Sequence, residues 1–258
     1  MLPSPLRDVD LEDKYRAAVS FVIDEVRRAG ARGVVVGLSG GLDSSVAAKV
    51  CCDALGAGRV LGLVMPERGL TPKKDLEDAT SYAGGLGLTV RRVEIGPVVR
   101  AFSSRLPRDR LSLGNLRARV RMAILYYYAN MERRLVVGTG DRSEILLGYF
   151  TKWGDGGADL LPLGGMYKTE LRLLATHLGV PPHIASKPSS PRLWRGQTAE
   201  GELGLPYETA DSILVLLVDE GLAAEEVKER LGLDEEVERV VQRMASTAHK
   251  REMPHVCQ

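Results

Sequence analysis

Apolar positions in this chain change period several times, and the changes mark out its elements. Leu11, Tyr15, Ala18, Val19, Val22, Ile23 and Val26 recur at three- and four-residue intervals, the pattern of a helix with one buried stripe. Asp10 supplies its N-cap and Gly30 its stop. Val34-Val35-Val36 is a continuous β-branched run, as expected of a strand covered on both faces, and Val46-Ala47-Ala48-Lys49-Val50 continues as a helix. Arg59 to Val64 reads as a second strand, Thr71-Pro72 as an N-cap and N1 pair opening a helix, and Leu88 to Ile95 as a third strand. A helix over residues 115–131 is expected to turn Leu116, Val120, Ala123, Ile124 and Tyr127 inward, and Leu135-Val136-Val137-Gly138 follows as a fourth strand. This β-α-β alternation predicts the α/β class with a doubly wound parallel sheet of Rossmann type.

Two segments keep no period, Gly148 to Tyr167 and Pro181 to Pro206, both rich in Gly, Pro, Asp and Ser. Aperiodic stretches of this length in a compact chain more often bind or close over ligands than merely connect, so the second is expected to be mobile until a ligand orders it. Residues 208–253 turn helical again, with Ile213, Leu216 and Leu217 on one helix, then Ala224 to Leu231, then Val237 to Met244. The 258 residues are therefore expected to form a single domain, 1–258, whose C-terminal helices span 208–253.

Charge and composition narrow the function. A net charge of +1 does not suit a nucleic-acid binder that relies on neutralising phosphates. No apolar run reaches the length of a membrane span, and Met1-Leu2-Pro3-Ser4-Pro5 lacks the basic start and apolar core of a leader, so a cytoplasmic protein is expected. Cys51 and Cys52 are adjacent and Cys257 is remote, which gives no C-x-x-C spacing for a metal or a redox pair.

The chemistry concentrates where the first strand becomes a helix, at Gly37-Leu38-Ser39-Gly40-Gly41-Leu42-Asp43-Ser44. Glycines let the backbone approach a ligand closely, and a helix start offers unpaired N–H groups and a positive dipole end, which together suit an anion. Neither a Walker A lysine nor the G-x-G-x-x-G spacing is present. The run instead resembles the PP-loop of the ATP pyrophosphatases, which split ATP into AMP and pyrophosphate. On that reading Asp43 is a ligand for Mg²⁺ bridging to phosphate oxygens. The plainer reading is a tight turn with Ser39 as N-cap and Asp43 serving the dipole.

Ligands of open α/β sheets lie beyond the carboxyl ends of the strands, so Gly138-Thr139-Gly140-Asp141-Arg142-Ser143-Glu144, after the fourth strand, should face this loop. Asp141 and Glu144 can form a capping box; equally, Thr139 can bond a nucleotide and Glu144 can supply a second Mg²⁺ oxygen. The following run, Gly148-Tyr149-Phe150-Thr151-Lys152-Trp153-Gly154-Asp155-Gly156-Gly157-Ala158-Asp159, closely resembles the ammonia-dependent NAD synthetases. So do Asn115 to Met122, Tyr167-Lys168-Thr169-Glu170, Lys187-Pro188-Ser189-Ser190, Gly201-Glu202-Leu203-Gly204 and His249-Lys250-Arg251, so that the likeness covers nearly the whole chain in order.

The resemblance implies an adenine nucleotide alpha-hydrolase-like fold and a ligase of NAD biosynthesis. Gly37 to Ser44 would surround the ATP phosphates, Asp43 and Glu144 would hold Mg²⁺, and Thr139, Lys168 and Ser190 would also touch ATP. Arg119, Lys152, Asp159, His249 and Lys250 would contact deamido-NAD, and the protein would be a homodimer. Bland readings stand beside these: Arg119 as surface charge, Lys152 and Asp159 as loop solvation, and His249-Lys250 as a helix end favoured by the dipole. Lys168 resists a bland reading, since a cation at a helix start is unfavourable unless an anion neutralises it. Ala199 stands where the family often carries an acid, and Leu42 fills a variable position. The resemblance implies no glutaminase domain, and ammonia as the nitrogen donor. The rivals are another PP-loop adenylating enzyme, acting on tRNA or resembling GMP synthetase, and a nucleotide-binding module without turnover.

Overall fold

The computed structural model describes residues 9–257; the Met1–Pro5 stretch, read above as lacking a leader, lies outside them. Four parallel strands lie in the order β3-β2-β1-β4: β1 (Val34–Gly37), β2 (Val60–Val64), β3 (Thr89–Arg92) and β4 (Leu135–Val137). Successive side chains point to opposite faces, and each face is covered by its own helices. Val34, Val36, Val60 and Val64 pack with α1 (Leu11–Arg28), α2 (Leu42–Leu55), α3 (Lys73–Gly85) and α7 (Lys168–His177). Val35, Leu61, Leu63 and Val136 pack with α4 (Gly96–Ser103) and α5 (Arg110–Glu132). The doubly wound arrangement follows. β1 runs to β2 and β3 on one side while β4 joins on the other, so the order reverses between β1 and β4, where open sheets of this kind place their crevice.

A third core cluster lies off the sheet. It joins Leu147 of α6 (Arg142–Leu147) to α9 (Ala199–Leu203), α10 (Tyr207–Leu214), α11 (Ala224–Leu231) and α12 (Asp234–Ser246). Within it Ile213 and Leu216 are buried and Leu217 is partly so; Leu216 and Leu217 belong to a wider π-turn, Val215–Asp219, that continues α10. Among the described residues, no helix is long and apolar enough to cross a membrane.

Several local expectations are corrected. α1 is capped by Asp10, which accepts from the Asp13 N–H, and Gly30 follows in the left-handed region, as read from sequence. Thr71 does not cap α3: its hydroxyl accepts from Glu67 N–H at 3.0 Å, closing the turn before the helix. β3 is shorter than expected and mostly exposed at the sheet edge, and α4 was not foreseen. α5 starts earlier because Asp109 accepts from the Ser112 N–H at 2.7 Å. Of the stripe expected, Val120 is buried and Leu116 and Ile124 pack against the core, while Ala123 and Tyr127 face outward and Gly114, Ala118 and Ala129 are buried as well. Tyr127, Met131 and Leu111 on α5, Phe102 on α4 and Leu106 are exposed apolar side chains. The segment 181–206 is not without regular structure, since it carries α8 (Pro182–Ala185) and α9.

Candidate active site

The cradle at the end of β1 is built by close backbone packing. Gly40 has φ +76°, and a Cβ there would lie 2.1 Å from the Asp75 carbonyl oxygen, so only glycine fits. Ser39 is not the N-cap. That position belongs to Gly41, which has no side chain to offer, while the Ser39 hydroxyl accepts from Gly41 N–H and the Ser44 hydroxyl accepts from Ser39 N–H, each at 3.2 Å. The start of α2 is left without a side-chain cap, an arrangement that receives anions.

Beside it a single buried ammonium gathers three carboxylates. Lys168, the first residue of α7, is fully buried, and its Nζ lies 2.7 Å from Asp43, 2.8 Å from Asp141 and 3.1 Å from Glu144. Tyr207 sets its ring 5.3 Å from the same nitrogen. Asp141 is the N-cap of α6 and accepts from Glu144 N–H at 2.8 Å, but Glu144 turns to Lys168 and does not complete a capping box. Burial opposes the charge on Lys168, yet Asp141, Asp43 and Glu144 outweigh it and hold its pKa well above the usual lysine range. Burial pushes the Glu144 carboxyl well up, and Asp141 and Asp43 add to the rise against the pull of Lys168. A fifth of the Glu144 side chain and a quarter of Asp43 remain open, 20% and 24%. The group is thus short of positive charge on its open side and offers hard oxygen donors there, a set that fits Mg²⁺.

Asp43 and Glu144 line a cavity of ≈ 270 Å³ at the reversal of strand order. Gly37, Leu38, Ser39, Gly41, Leu42 and Ser44 form one wall; Gly138 and Thr139 form another, and Ser190 closes the far side. Gly40 and Lys168 stand behind these walls and do not line the cavity. Residues given no individual role from sequence stand around it. Lys187 bonds the Gly40 carbonyl at 2.7 Å and pairs with Asp75 at 2.9 Å and Asp78 at 2.6 Å, tying the 181–206 segment to the cradle. Arg117 clamps Glu67 at 2.6 and 3.0 Å and donates to the Leu193 carbonyl at 3.0 Å, while Ser190 donates to the Gln197 carbonyl at 2.6 Å. Arg121 lines the cavity with its Nε on the Met65 carbonyl. The Asn115 to Met122 stretch contained both arginines without assigning either a role, and the Glu67 partner of Arg117, fifty residues away, has no local signature. Ala199, the departure from the family pattern, is buried against the cavity wall.

The remaining sequence candidates lie elsewhere. Arg119 donates to the Lys152 carbonyl at 3.3 Å, Lys152 donates to the backbone carbonyls of His249 and Glu252, and Lys250 donates to those of Gly148 and Phe150 at 2.8 Å. These three, with His249 exposed beside them, gather around the turn that follows α6. Asp159 stands apart, accepting from Val136 N–H at 2.7 Å and from the Tyr126 hydroxyl at 3.0 Å. None of the five lines the cavity. Lys250 also has a plain structural task. With Arg243 and Arg251, which donate to the Leu147 and Leu146 carbonyls, it satisfies the open C-terminal end of α6 and the turn after it.

Comparison with known proteins adds to this geometry. A family model described as NAD synthase matches residues 14–254. The NH(3)-dependent NAD(+) synthetase of Hyperthermus butylicus is 52% identical, covering 96% of this chain and 91% of its own; that of Methanosarcina mazei is 44% identical, covering 96% and 98%. Among solved structures, an NH3-dependent NAD synthetase from Campylobacter jejuni superposes with a TM-score of 0.82 at 31% identity, covering 97% of this chain and 100% of its own. An NMN synthetase from Francisella tularensis gives 0.84 at 32%, covering 97% and 99%.

The contact of Gly40 with backbone rather than with a movable side chain sets a test. Gly40→Ala is expected to lower stability by ~1–3 kcal/mol, since neither φ nor the Asp75 carbonyl can yield cheaply. Gly41→Ala, at φ −98° and with only the Ser39 hydroxyl near, should unfold like the parent. Urea denaturation measures both, and an unchanged midpoint for Gly40→Ala would show that the cradle can deform.

Proposed function

Because this chain belongs to the NAD synthase family, and with it makes NAD from deamido-NAD and ammonia at the expense of ATP, we propose that the cavity between β1 and β4 is where the nicotinate carboxyl is activated. The observation that carries this is the meeting of Asp43 and Glu144, each from a first helical turn, beside the uncapped start of α2. A carboxylate does not condense with ammonia at neutral pH, because its oxygen is too poor a leaving group. The carboxylate oxygen attacks the α-phosphorus of ATP, pyrophosphate departs, and a mixed anhydride with AMP remains. Ammonia then attacks the acyl carbon, AMP leaves with the oxygen, and a proton is lost from nitrogen to give the amide.

Positioning and charge neutralisation are what the residues supply. The backbone and hydroxyls of residues 37–44 receive the phosphates, and Thr139 and Ser190 bound the nucleotide from the facing walls. Asp43 and Glu144 hold Mg²⁺, which when bound supplies positive charge to the phosphate oxygens. Lys168 fixes both acids and balances them from behind. Arg119, Lys152, Asp159, His249 and Lys250 contact deamido-NAD. In this reading the enzyme is cytoplasmic and homodimeric, the pairing surface being formed by the exposed apolar side chains of α4 and α5.

Asp43→Ala and Glu144→Ala are each expected to abolish formation of NAD and AMP from ATP, deamido-NAD, ammonium and Mg²⁺ while the proteins stay folded. Chromatography of the products with circular dichroism of each variant checks this; loss of folded structure would mark the acids as structural. The mononucleotide analogue of deamido-NAD should be a poor substrate for the parent.

Tyr127→Arg is expected to convert a dimer into monomers without unfolding, as read by sedimentation velocity. A parent that sediments as a monomer would remove the dimer from the reading.

The nitrogen donor has its own test. Burial pushes the Cys51 thiol far up, and burial with the neighbouring Asp53 pushes Cys52 up to about 11, so neither supplies a thiolate to hydrolyse glutamine. Only unprotonated ammonia has the lone pair for attack, so the KM for total ammonia should fall as pH rises above neutral. Glutamine, with contaminating ammonia scavenged, should not replace ammonium salts; efficient use of it by the pure chain would overturn this.

A further inference from the structure

Asp141, Glu144 and Lys168 stand at the starts of two helices, α6 and α7; α6 is capped by its own Asp141, whereas the start of α7 has no side-chain cap of its own. Tyr167, the residue before α7, caps no N–H of that helix with its side chain, although its own N–H is taken by Glu170 at 2.9 Å. The N–H groups of Lys168 and Thr169 are satisfied from outside: Lys168 N–H donates to the Ser143 hydroxyl of α6 at 2.9 Å, and Thr169 N–H donates to Asp211 of α10 at 2.9 Å. Asp211 also receives the Thr169 hydroxyl at 2.8 Å and, on its other oxygen, the Ser143 hydroxyl at 2.5 Å. Asp211, Ser143 and Thr169 are all buried. One carboxylate thus ties the residue preceding Glu144 to the residue following Lys168.

We propose that Asp211 is the positioning residue of this enzyme, a clamp between the first turns of α6 and α7 that sets the distance between Glu144 and Lys168. This rests on the assignment of those two residues to the reaction. The site's acids and lysine come from three helix starts, and without a tie each start is free to shift along its own axis. A displacement on the order of 1 Å at a reacting centre costs about 10²-fold in rate. α10 contributes a second contact from the same face, since Tyr207, four residues before Asp211, sets its ring against the Lys168 ammonium. The C-terminal helical cluster is in this way joined to the chemistry without lining the cavity at either residue.

Three donors and no acceptor face Asp211, which fits the ionised carboxylate. Burial pushes its pKa up to about 7, against the pull of the Ser143 and Thr169 bonds. Holding the charge there costs stability. A folded-state value raised above the unfolded one means that the cost grows as pH rises from the ordinary carboxyl range toward 7.

The test uses the full chain. Asp211→Ala should lower kcat at least about tenfold per folded molecule, with KM for ATP and deamido-NAD changed less than about threefold, because substrate walls are intact while the acids and lysine are misaligned. Asp211→Asn should recover most of kcat: its carbonyl oxygen can keep both Thr169 bonds, and its amide can donate to a reversed Ser143 hydroxyl. Ser143→Ala, a smaller perturbation that removes one arm of the clamp, should lower kcat in the same direction, and it decides the matter if Asp211→Ala does not fold. Parent-like kcat in the variants that fold, alongside loss of turnover in Lys168→Ala, would overturn the clamp while leaving the site assignment standing. Retained turnover in Lys168→Ala would overturn the site assignment and the clamp together.

Discussion

A lysine with no exposed surface, surrounded by three carboxylates from two other helix starts, is the constraint around which this molecule is arranged. An ammonium buried at the positive end of a helix is unfavourable on two counts, desolvation and dipole, and only nearby anions make it tolerable. Asp43, Asp141 and Glu144 meet that need, and they can do so only if α2, α6 and α7 converge. The parallel sheet brings the first two together, because β1 and β4 are neighbours and the helix starts that follow them lie at the same edge. The aperiodic stretch after α6 then returns beside β4, where Leu160 pairs with Val137, and delivers α7 to the same place.

The same electrostatics that hold the lysine prepare the opposite wall. The cavity lining sets the carboxylates of Asp43 and Glu144 beside the uncapped amides of α2, with Arg121 and Lys187 also among its residues. A polyphosphate accompanied by a divalent cation complements both at once: its oxygens suit the amides, and its metal suits the acids. Neither partner alone would satisfy the pair of surfaces, which explains why a carboxylate is tolerated in a phosphate cradle.

Much of this was legible in the chain. The glycines and hydroxyls at residues 37–44 belong to a strand-to-helix turn whose backbone geometry leaves few other residues possible, so the local sequence carries the information. Asp43, Glu144 and Lys168 could be named because the resemblance spans the chain in order. What stayed hidden was whatever depends on distance along the sequence. Ser39 looked like a cap, but its hydroxyl is taken by Gly41 N–H. Tyr127 fitted a helical stripe, but the sheet meets α5 on a face turned away from it. Lys187 and Arg117 act through Asp75, Asp78 and Glu67, partners that no spacing rule connects to them. Asp211 has no local sequence signature, and its burial is visible only once α6 and α7 are in place.

The cations at residues 243–251 close the open end of the helix that carries Glu144. Because a ribosome delivers residues in order, the sheet, the cradle and all four members of the lysine cluster exist for some time before those cations do. Without them the carbonyls at the end of α6 are left to water, and the helix bearing Glu144 is held by its start and by the packing of Leu147. Residues a hundred positions downstream of Glu144 thus finish its helix at the end away from the cavity, so that a contact remote in sequence bears on how firmly an acid of the site is held.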